Sequence, residues 1–359
     1  MRAEHPRISI KRKTMNGKPV YEITVLDVIN FQTEFIHKLL CSVATFSLGS
    51  ACAFSCAYCY VESIVRKHPE VVRLSKEWDR LGLKFEDVVV VRCQSLDIIR
   101  EQLTIRSPSK VDLQRREVVF TSPLVDPAAN LGQATQTAEA CGIIHELTNW
   151  DVRVLSKSHL LPVIAKLIPA KHKHRVIYGV STGTLDDRLA ATIEQDTALV
   201  SKRIASLHWL QDHGHRTFGM ICPSLPQEDY DGFAERMAAE LRVERLEHVW
   251  AEVLNVRGRS MPRTLEGLRA GGYAADAARV EAVCGTGKKP AWEEYARATF
   301  LAHTRCIPAE KLRFLQYVTP KTQAWWAQRR EHGAVLLGKA AAQVIPLVPL
   351  ATSTPSHRS

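Results

Sequence analysis

The chain has no second Cys-x2-Cys and no His-x3-His pair beside its one dense cysteine cluster, so a four-ligand structural zinc site is incomplete. Nine cysteines in 359 residues is a low density and an odd number, which argues against a disulfide framework. An apolar leader is missing too: the first residues are basic and polar (Arg7, Lys11, Arg12, Lys13, Lys18), and no secretory signal is expected. No internal repeat stands out. The apolar stretch 333–350 contains Lys339, Gln343, Pro346 and Pro349 and makes a poor membrane span. A cytoplasmic chain with free thiols, and no membrane partner, is the expectation.

What is present is ordinary in bulk and basic in charge. Apolar and charged fractions of 45% and 24% fit a globular chain, long enough for one large domain with extensions or for two. The formal net charge is +10, which suits a polyanionic partner such as nucleic acid. The cations fall in short groups: 171–175, Lys202 with Arg203, Arg257 with Arg259 and Arg263, Lys288 with Lys289, and Arg329 with Arg330. Any one group reads equally well as a solvated face.

The dense cluster is Cys52, Cys56 and Cys59, in the run CAFSCAYCY. Three thiolates at Cys-x3-Cys-x2-Cys spacing can hold three irons of a 4Fe-4S cluster and leave the fourth iron open to a substrate or cosubstrate. That points to catalysis rather than electron storage. A non-catalytic metal-binding protein, taking zinc rather than iron, is the alternative from another class.

From residue 42 to about 256, strand-length apolar runs alternate with helix-period segments. Strands are expected at 43–48, 88–91 (four valines, as in a strand buried on both faces), 117–121, 152–155, 176–180, 216–222 and 249–256. Helices are expected at 95–106 and 133–147, after 155, over Val200, Ile204, Leu207 and Leu210 with Gly214 as C-terminal cap, and over Phe233, Met237 and Leu241. Repeated strand-then-helix order implies an α/β fold with a parallel sheet. Chemistry in such folds gathers at the C-terminal strand ends, where the cysteine loop falls. Beyond 257 the pattern reads as helices, with 324–330 carrying Trp325 and Trp326, and the last ten residues read as disordered.

The cysteine spacing, with Tyr58 just before the third cysteine, closely resembles the signature of the radical S-adenosylmethionine (SAM) superfamily. Several later segments, VVVVRCQSLDII, VRVLSKSHLLPVI, the stretch from YGVSTG to ICPSLP, and FLQYVT, resemble its spore photoproduct lyase and DNA-repair-photolyase-like branch. The likeness covers about 42–256 and that short tail. It implies a partial (β/α)6 parallel barrel with a helical C-terminal extension, divided as 1–40, a core at 41–256, 257–332 and a partly disordered tail at 333–359. It implies a 4Fe-4S cluster on Cys52, Cys56 and Cys59 that reductively cleaves SAM to a 5′-deoxyadenosyl radical, and a one-electron donor such as flavodoxin or ferredoxin. Tyr58 would pack near the adenine, Lys157 meet the SAM carboxylate, Ser181 hydrogen-bond SAM, and Glu194 serve the ribose or pair with Arg203.

The implied reaction is a lyase or repair step on a nucleic-acid base held outside the stack. Modification of a protein, peptide or tRNA remains a second reading, because fold does not fix substrate. One departure favours it: Phe120 stands where the lyase branch carries its hydrogen-donating cysteine, and the acidic residue comes later, as Asp126. Cys93 and Cys222, at predicted strand ends, are the candidate replacements, although a cysteine there is also a common small buried apolar residue.

Overall fold

A computed structural model describes residues 14–343 except 122, 257 and 286–288. The basic stretch before residue 14, Arg257, Lys288 and the last ten residues therefore lie outside the described residues.

Strands β1 (Thr14–Met15) and β2 (Lys18–Ile23) form a hairpin around Asn16-Gly17, both at positive φ (52° and 77°), the turn that Asn-Gly favours. After β3 (Ile29–Asn30) the chain makes one short turn, then β4 (Ala44–Phe46), β5 (Gly49–Ala51), β6 (Ser55–Cys56), α1 (Val61–Val65) and α2 (Pro69–Arg80). Pro69 opens α2 and Val71, Leu74 and Trp78 bury one face of it. Next come β7 (Val89–Arg92) and α3 (Ser95–Thr104), followed by β8 (Val118–Thr121), α4 (Leu131–Leu147), β9 (Asp151–Ser156), α5 (Leu161–Leu167) and β10 (Val176–Thr182). Then follow α6 (Asp187–Ile193), β11 (Glu194–Gln195), α7 (Val200–Asp212), β12 (Arg216–Ser224), α8 (Tyr230–Leu241) and β13 (Val249–Val253). The chain closes with α9 (Ser260–Ala270), α10 (Ala274–Cys284), α11 (Lys289–Cys306), β14 (Leu312–Tyr317), α12 (Gln323–Ala327) and β15 (Ala334–Leu337). Side-chain caps start several helices: Asn130, Asp186 and Asp229 each accept backbone N–H bonds from the first turns of α4, α6 and α8. Gly214, at φ 67°, ends the α7 segment as its sequence position implies.

The main sheet runs β15-β14-β13-β12-β10-β9-β8-β4-β3. All neighbours are parallel except β3, an antiparallel edge. Alternate strand residues separate two apolar layers. One side (Val152, Val154, Tyr178, Val249, Phe314) packs on the helices. The other (Phe120, Ile177, Phe218, Trp250, Leu315) is filled by Leu40 and Cys41 from the segment before β4. Arg153 lies on that inner side, donates to the Leu39 and Leu40 carbonyls, and sits over the Trp250 ring at 4.7 Å.

Three sequence expectations change. The valine strand, β7, is not in the main sheet: it pairs with β2 and β5 in a four-stranded sheet, and β4 lies directly beside β8. Its valines are buried because that small sheet packs into the core, so the composition was read correctly and the partner was not. The region past 257 is not purely helical, since β14 extends the parallel sheet. Ala334–Leu337, expected within the tail, is the next strand of the same sheet. Among the described residues no helix is long and apolar enough to cross a membrane.

Two enclosed histidines on the helical side carry a pH dependence. Among the described residues the buried His303 ring nitrogens have no hydrogen-bond partner, and the His145 ring is likewise buried. Burial pushes His145 down to about 3, with Arg175 adding to the shift, and His303 down to about 4, from 6.5. The unfolded chain therefore binds more protons in this range, and stability rises with pH. It is complete above about pH 6.5 and falls as pH drops towards 4, by up to ~1.4 kcal/mol per unit for each histidine. His303→Leu should flatten the dependence of the urea midpoint on pH across that window. A slope equal to that of the native chain would contradict the account.

Candidate active site at the strand ends

The C-terminal ends of β8, β9, β10, β12, β13 and β14 surround a cavity of about 240 Å³, and the cysteine loop closes one side of it. The chain reaches that loop by stepping from β4 in the main sheet to β5 in the small one.

Each cysteine is fixed by backbone. The Cys52 Sγ accepts N–H bonds from Phe54 at 3.5 Å and Asp126 at 3.3 Å. Cys56 sits in β6, paired directly with Glu194 of β11, and the Ala57 N–H donates to the Ile193 carbonyl at 2.8 Å. The Cys59 N–H closes a turn onto the Cys56 carbonyl at 3.1 Å. All three side chains line the cavity. Burial pushes the Cys52 thiol up to about 12, with the Asp126 charge adding to it. Burial raises Cys56 and Cys59 as well. A thiolate there needs a cation beside it, and soft sulfur donors select iron–sulfur clusters or zinc. Among the described residues no three His, Cys, Asp or Glu side chains close on a site for a single metal ion. A four-iron cluster takes its thiolates at separate corners, and the donor set fits that group.

Facing the loop is a charged group from three strand ends. The Lys157 Nζ, just past β9, donates to Ser181 Oγ at 3.0 Å, Glu194 Oε1 at 2.9 Å and the Cys222 carbonyl at 3.3 Å. It also lies 5.3 Å from the centre of the Tyr58 ring, and the Tyr58 hydroxyl donates to Glu194. The other Glu194 oxygen meets Arg203 at 2.5 Å, where the guanidinium is fully enclosed and also bonds the Ser181 carbonyl at 3.0 Å. Burial alone would raise the Glu194 carboxyl, but Lys157 and Arg203 outweigh it and hold it below its usual value. Asp126 ties the halves together: it accepts from Ser156 Oγ and the Lys157 N–H, both at 2.7 Å, while its own N–H reaches Cys52. The geometry thus gathers Cys52, Cys56, Cys59, Tyr58, Lys157, Ser181 and Glu194 into one site. Lys157 and Arg203 thus stand against the carboxylates of Glu194 and Asp126, beside the three thiols.

A second polar group lies across the cavity. The Cys222 backbone carbonyl faces Lys157 and Ser181, while its thiol points to Glu252 Oε2 at 3.8 Å. Glu252 is 3.7 Å from Lys38 Nζ, which sits between the Phe35 and Tyr317 rings. Phe120 also lines the cavity and stacks on Phe35. Sequence reasoning missed Lys38, Glu252 and Tyr317. Glu252 did carry a signal, as a lone charge in the apolar run VWAEVLNV; Lys38 lies in a stretch without periodicity.

One candidate falls elsewhere. Cys93 is outside the cavity, because β7 belongs to the small sheet; its thiol points to Glu22 at 3.7 Å. Trp325 and Trp326 serve packing: Trp326 is fully buried and stacks on Phe314, and Trp325 carries Arg297 and Arg329 on its ring.

No family model matches the chain, and no curated protein sequence does. Solved structures do. A spore photoproduct lyase variant with bound AdoMet and dinucleoside spore photoproduct is 14% identical over 63% of this chain and 61% of its own, with a TM-score of 0.46. Spore photoproduct lyase complexed with dinucleoside spore photoproduct is 13% identical over 62% of this chain and 59% of its own, with a TM-score of 0.44. The chain thus spans about three-fifths of the length of these proteins. They are similar to it remotely.

Proposed function

We propose that the chain is a radical SAM enzyme whose core, about 41–256, is a partial (β/α)6 barrel of that type. The observation that carries this reading is the convergence of Cys52, Cys56 and Cys59 with Lys157 and Ser181 on one cavity at the parallel strand ends, with Glu194 held against Lys157. When bound, a 4Fe-4S cluster and SAM together supply a 5′-deoxyadenosyl radical. The chain's own residues bind, orient and exclude water. Cys52, Cys56 and Cys59 hold the cluster, and Lys157 meets the SAM carboxylate as a point charge. Ser181 and Tyr58 pack and hydrogen-bond beside it, with Arg203 locking Glu194 in place. Cysteines outside any disulfide and an oxygen-sensitive group suit a reducing cytoplasm and an acidic one-electron donor such as flavodoxin or ferredoxin.

The substrate we infer first is a nucleic-acid base, in a lyase or repair reaction. The net charge of +10 supports it. Phe120 in the cavity wall, where the lyase branch has its thiol, supports the second reading, a protein, peptide or tRNA substrate. The separating experiment adds ultraviolet-damaged DNA, tRNA or a peptide mixture to the reconstituted protein with SAM and reductant. Damaged DNA should raise 5′-deoxyadenosine formation and be consumed. Stimulation by tRNA or peptide alone would overturn the first reading.

Cys222 is the thiol we assign to return a hydrogen atom to the substrate radical: its S–H bond breaks as the substrate C–H bond forms, and the resulting thiyl regains the thiol with one electron from the reductant and one proton. Cys222→Ala should keep 5′-deoxyadenosine formation and misdirect the product. Cys93→Ala should change neither, and any product change in that variant would contradict the assignment.

A further inference from the structure

Beside the large cavity lies a second recess of about 20 Å³, lined again by Cys52, Cys56 and Cys59 and also by Phe85, Glu86 and Arg263. Its rim is charged. Arg259 and Arg263 both reach Glu86, at 2.8 and 3.5 Å. Lys18 holds Asp196 at 3.0 Å and the Ala53 carbonyl, beside Cys52, at 2.8 Å. The Arg259 side chain is 44% exposed, and Lys84, next to Phe85, is exposed.

We infer that this rim is the docking surface for an acidic protein electron carrier, which passes its electron to the cluster from this recess. The inference rests on the cluster proposed above. A carrier protein cannot enter a cavity of about 240 Å³, and that cavity must hold the cosubstrate and the substrate when the electron arrives. The electron therefore crosses the protein wall, and the small recess brings the same three cysteines close to a rim that carries the exposed Arg259. Charge agrees with this. A chain of net charge +10 attracts an acidic carrier at long range, and Arg259 and Lys84 offer it exposed cations beside the recess. Glu86, gripped by two arginines, holds the Arg259 and Arg263 heads at the rim. The carrier is oxidised by one electron and the cluster is reduced by one; no bond forms or breaks.

The test follows cluster reduction spectroscopically in the reconstituted full chain, mixed rapidly with reduced flavodoxin. Arg259→Glu with Lys84→Glu should slow reduction by roughly tenfold or more at low salt, and the difference should shrink as salt rises. Lys84→Glu alone, which touches no ion pair, should act in the same direction. Reduction by dithionite should stay as in the native chain. As a control for net charge, Arg115→Glu with Arg116→Glu alters two exposed residues before β8, at the strand-start end, and should leave the flavodoxin rate near the native value. An unchanged rate in the rim variants, or an equal loss in the control, would overturn this inference and leave the cluster in place. A native chain that assembles no cluster would remove both it and the proposed function.

Discussion

Cys56→Ala should abolish iron–sulfur incorporation and all SAM cleavage while leaving the chain folded. Cys56 sits in a two-residue strand whose pairing with Glu194 is made by backbone atoms, which alanine keeps. The lost sulfur is one of three, and two thiolates hold a four-iron cluster poorly. Iron and sulfide content after anaerobic reconstitution checks the first half, and far-ultraviolet circular dichroism checks the second. Native-level iron in Cys56→Ala would show that the cluster, if formed, is held elsewhere. An unfolded variant would show that the loop needs this side chain for packing, which its backbone pairing does not predict.

Glu194→Gln should cost about 3 kcal/mol of stability, within the range for breaking one partner of a buried ion pair. Arg203 is fully enclosed, and the substitution leaves its charge without a counterion, although its bonds to the Ser181 and Ala198 carbonyls and the Thr197 hydroxyl remain. Lys157→Met separates structure from function. It keeps the Glu194–Arg203 pair and removes only the ammonium that faces the cavity, so it should lower SAM affinity with a much smaller loss of stability. Urea unfolding and equilibrium SAM binding on both variants check the split. Equal stability losses in the two, or native SAM binding in Lys157→Met, would contradict it.

The parallel sheet was legible because a strand packed on both faces must be apolar on both sides, and the runs at 152–155, 176–180 and 249–256 are largely so. The same rule misplaced β7. Burial on both faces says nothing about which strand is the neighbour, and β2, its partner, lies some seventy residues earlier, as the pairing of Val20 with Val89 shows. The Asn-Gly turn before β2 was a hairpin signal that the basic composition around it obscured. β14 follows the long helix α11, and β15 is a four-residue strand after the short α12, so no strand-then-helix alternation announced them.

The site was legible in its unusual spacing and less so in its packing. The cysteine loop is local in sequence, whereas the group opposite Lys157 assembles from Lys38, Cys222, Glu252 and Tyr317, which come together only through the sheet. Arg203 could be read as a possible partner of Glu194, but not as the fully enclosed cation that anchors the carboxylate between two charges.

The most direct test of the central claim is anaerobic reconstitution with iron and sulfide, followed by dithionite and SAM, with 5′-deoxyadenosine and methionine quantified by chromatography. The account predicts both products in equal amounts from the native chain, and neither without reductant. A chain that takes up zinc in place of the cluster, or assembles the cluster and leaves SAM intact, would contradict it.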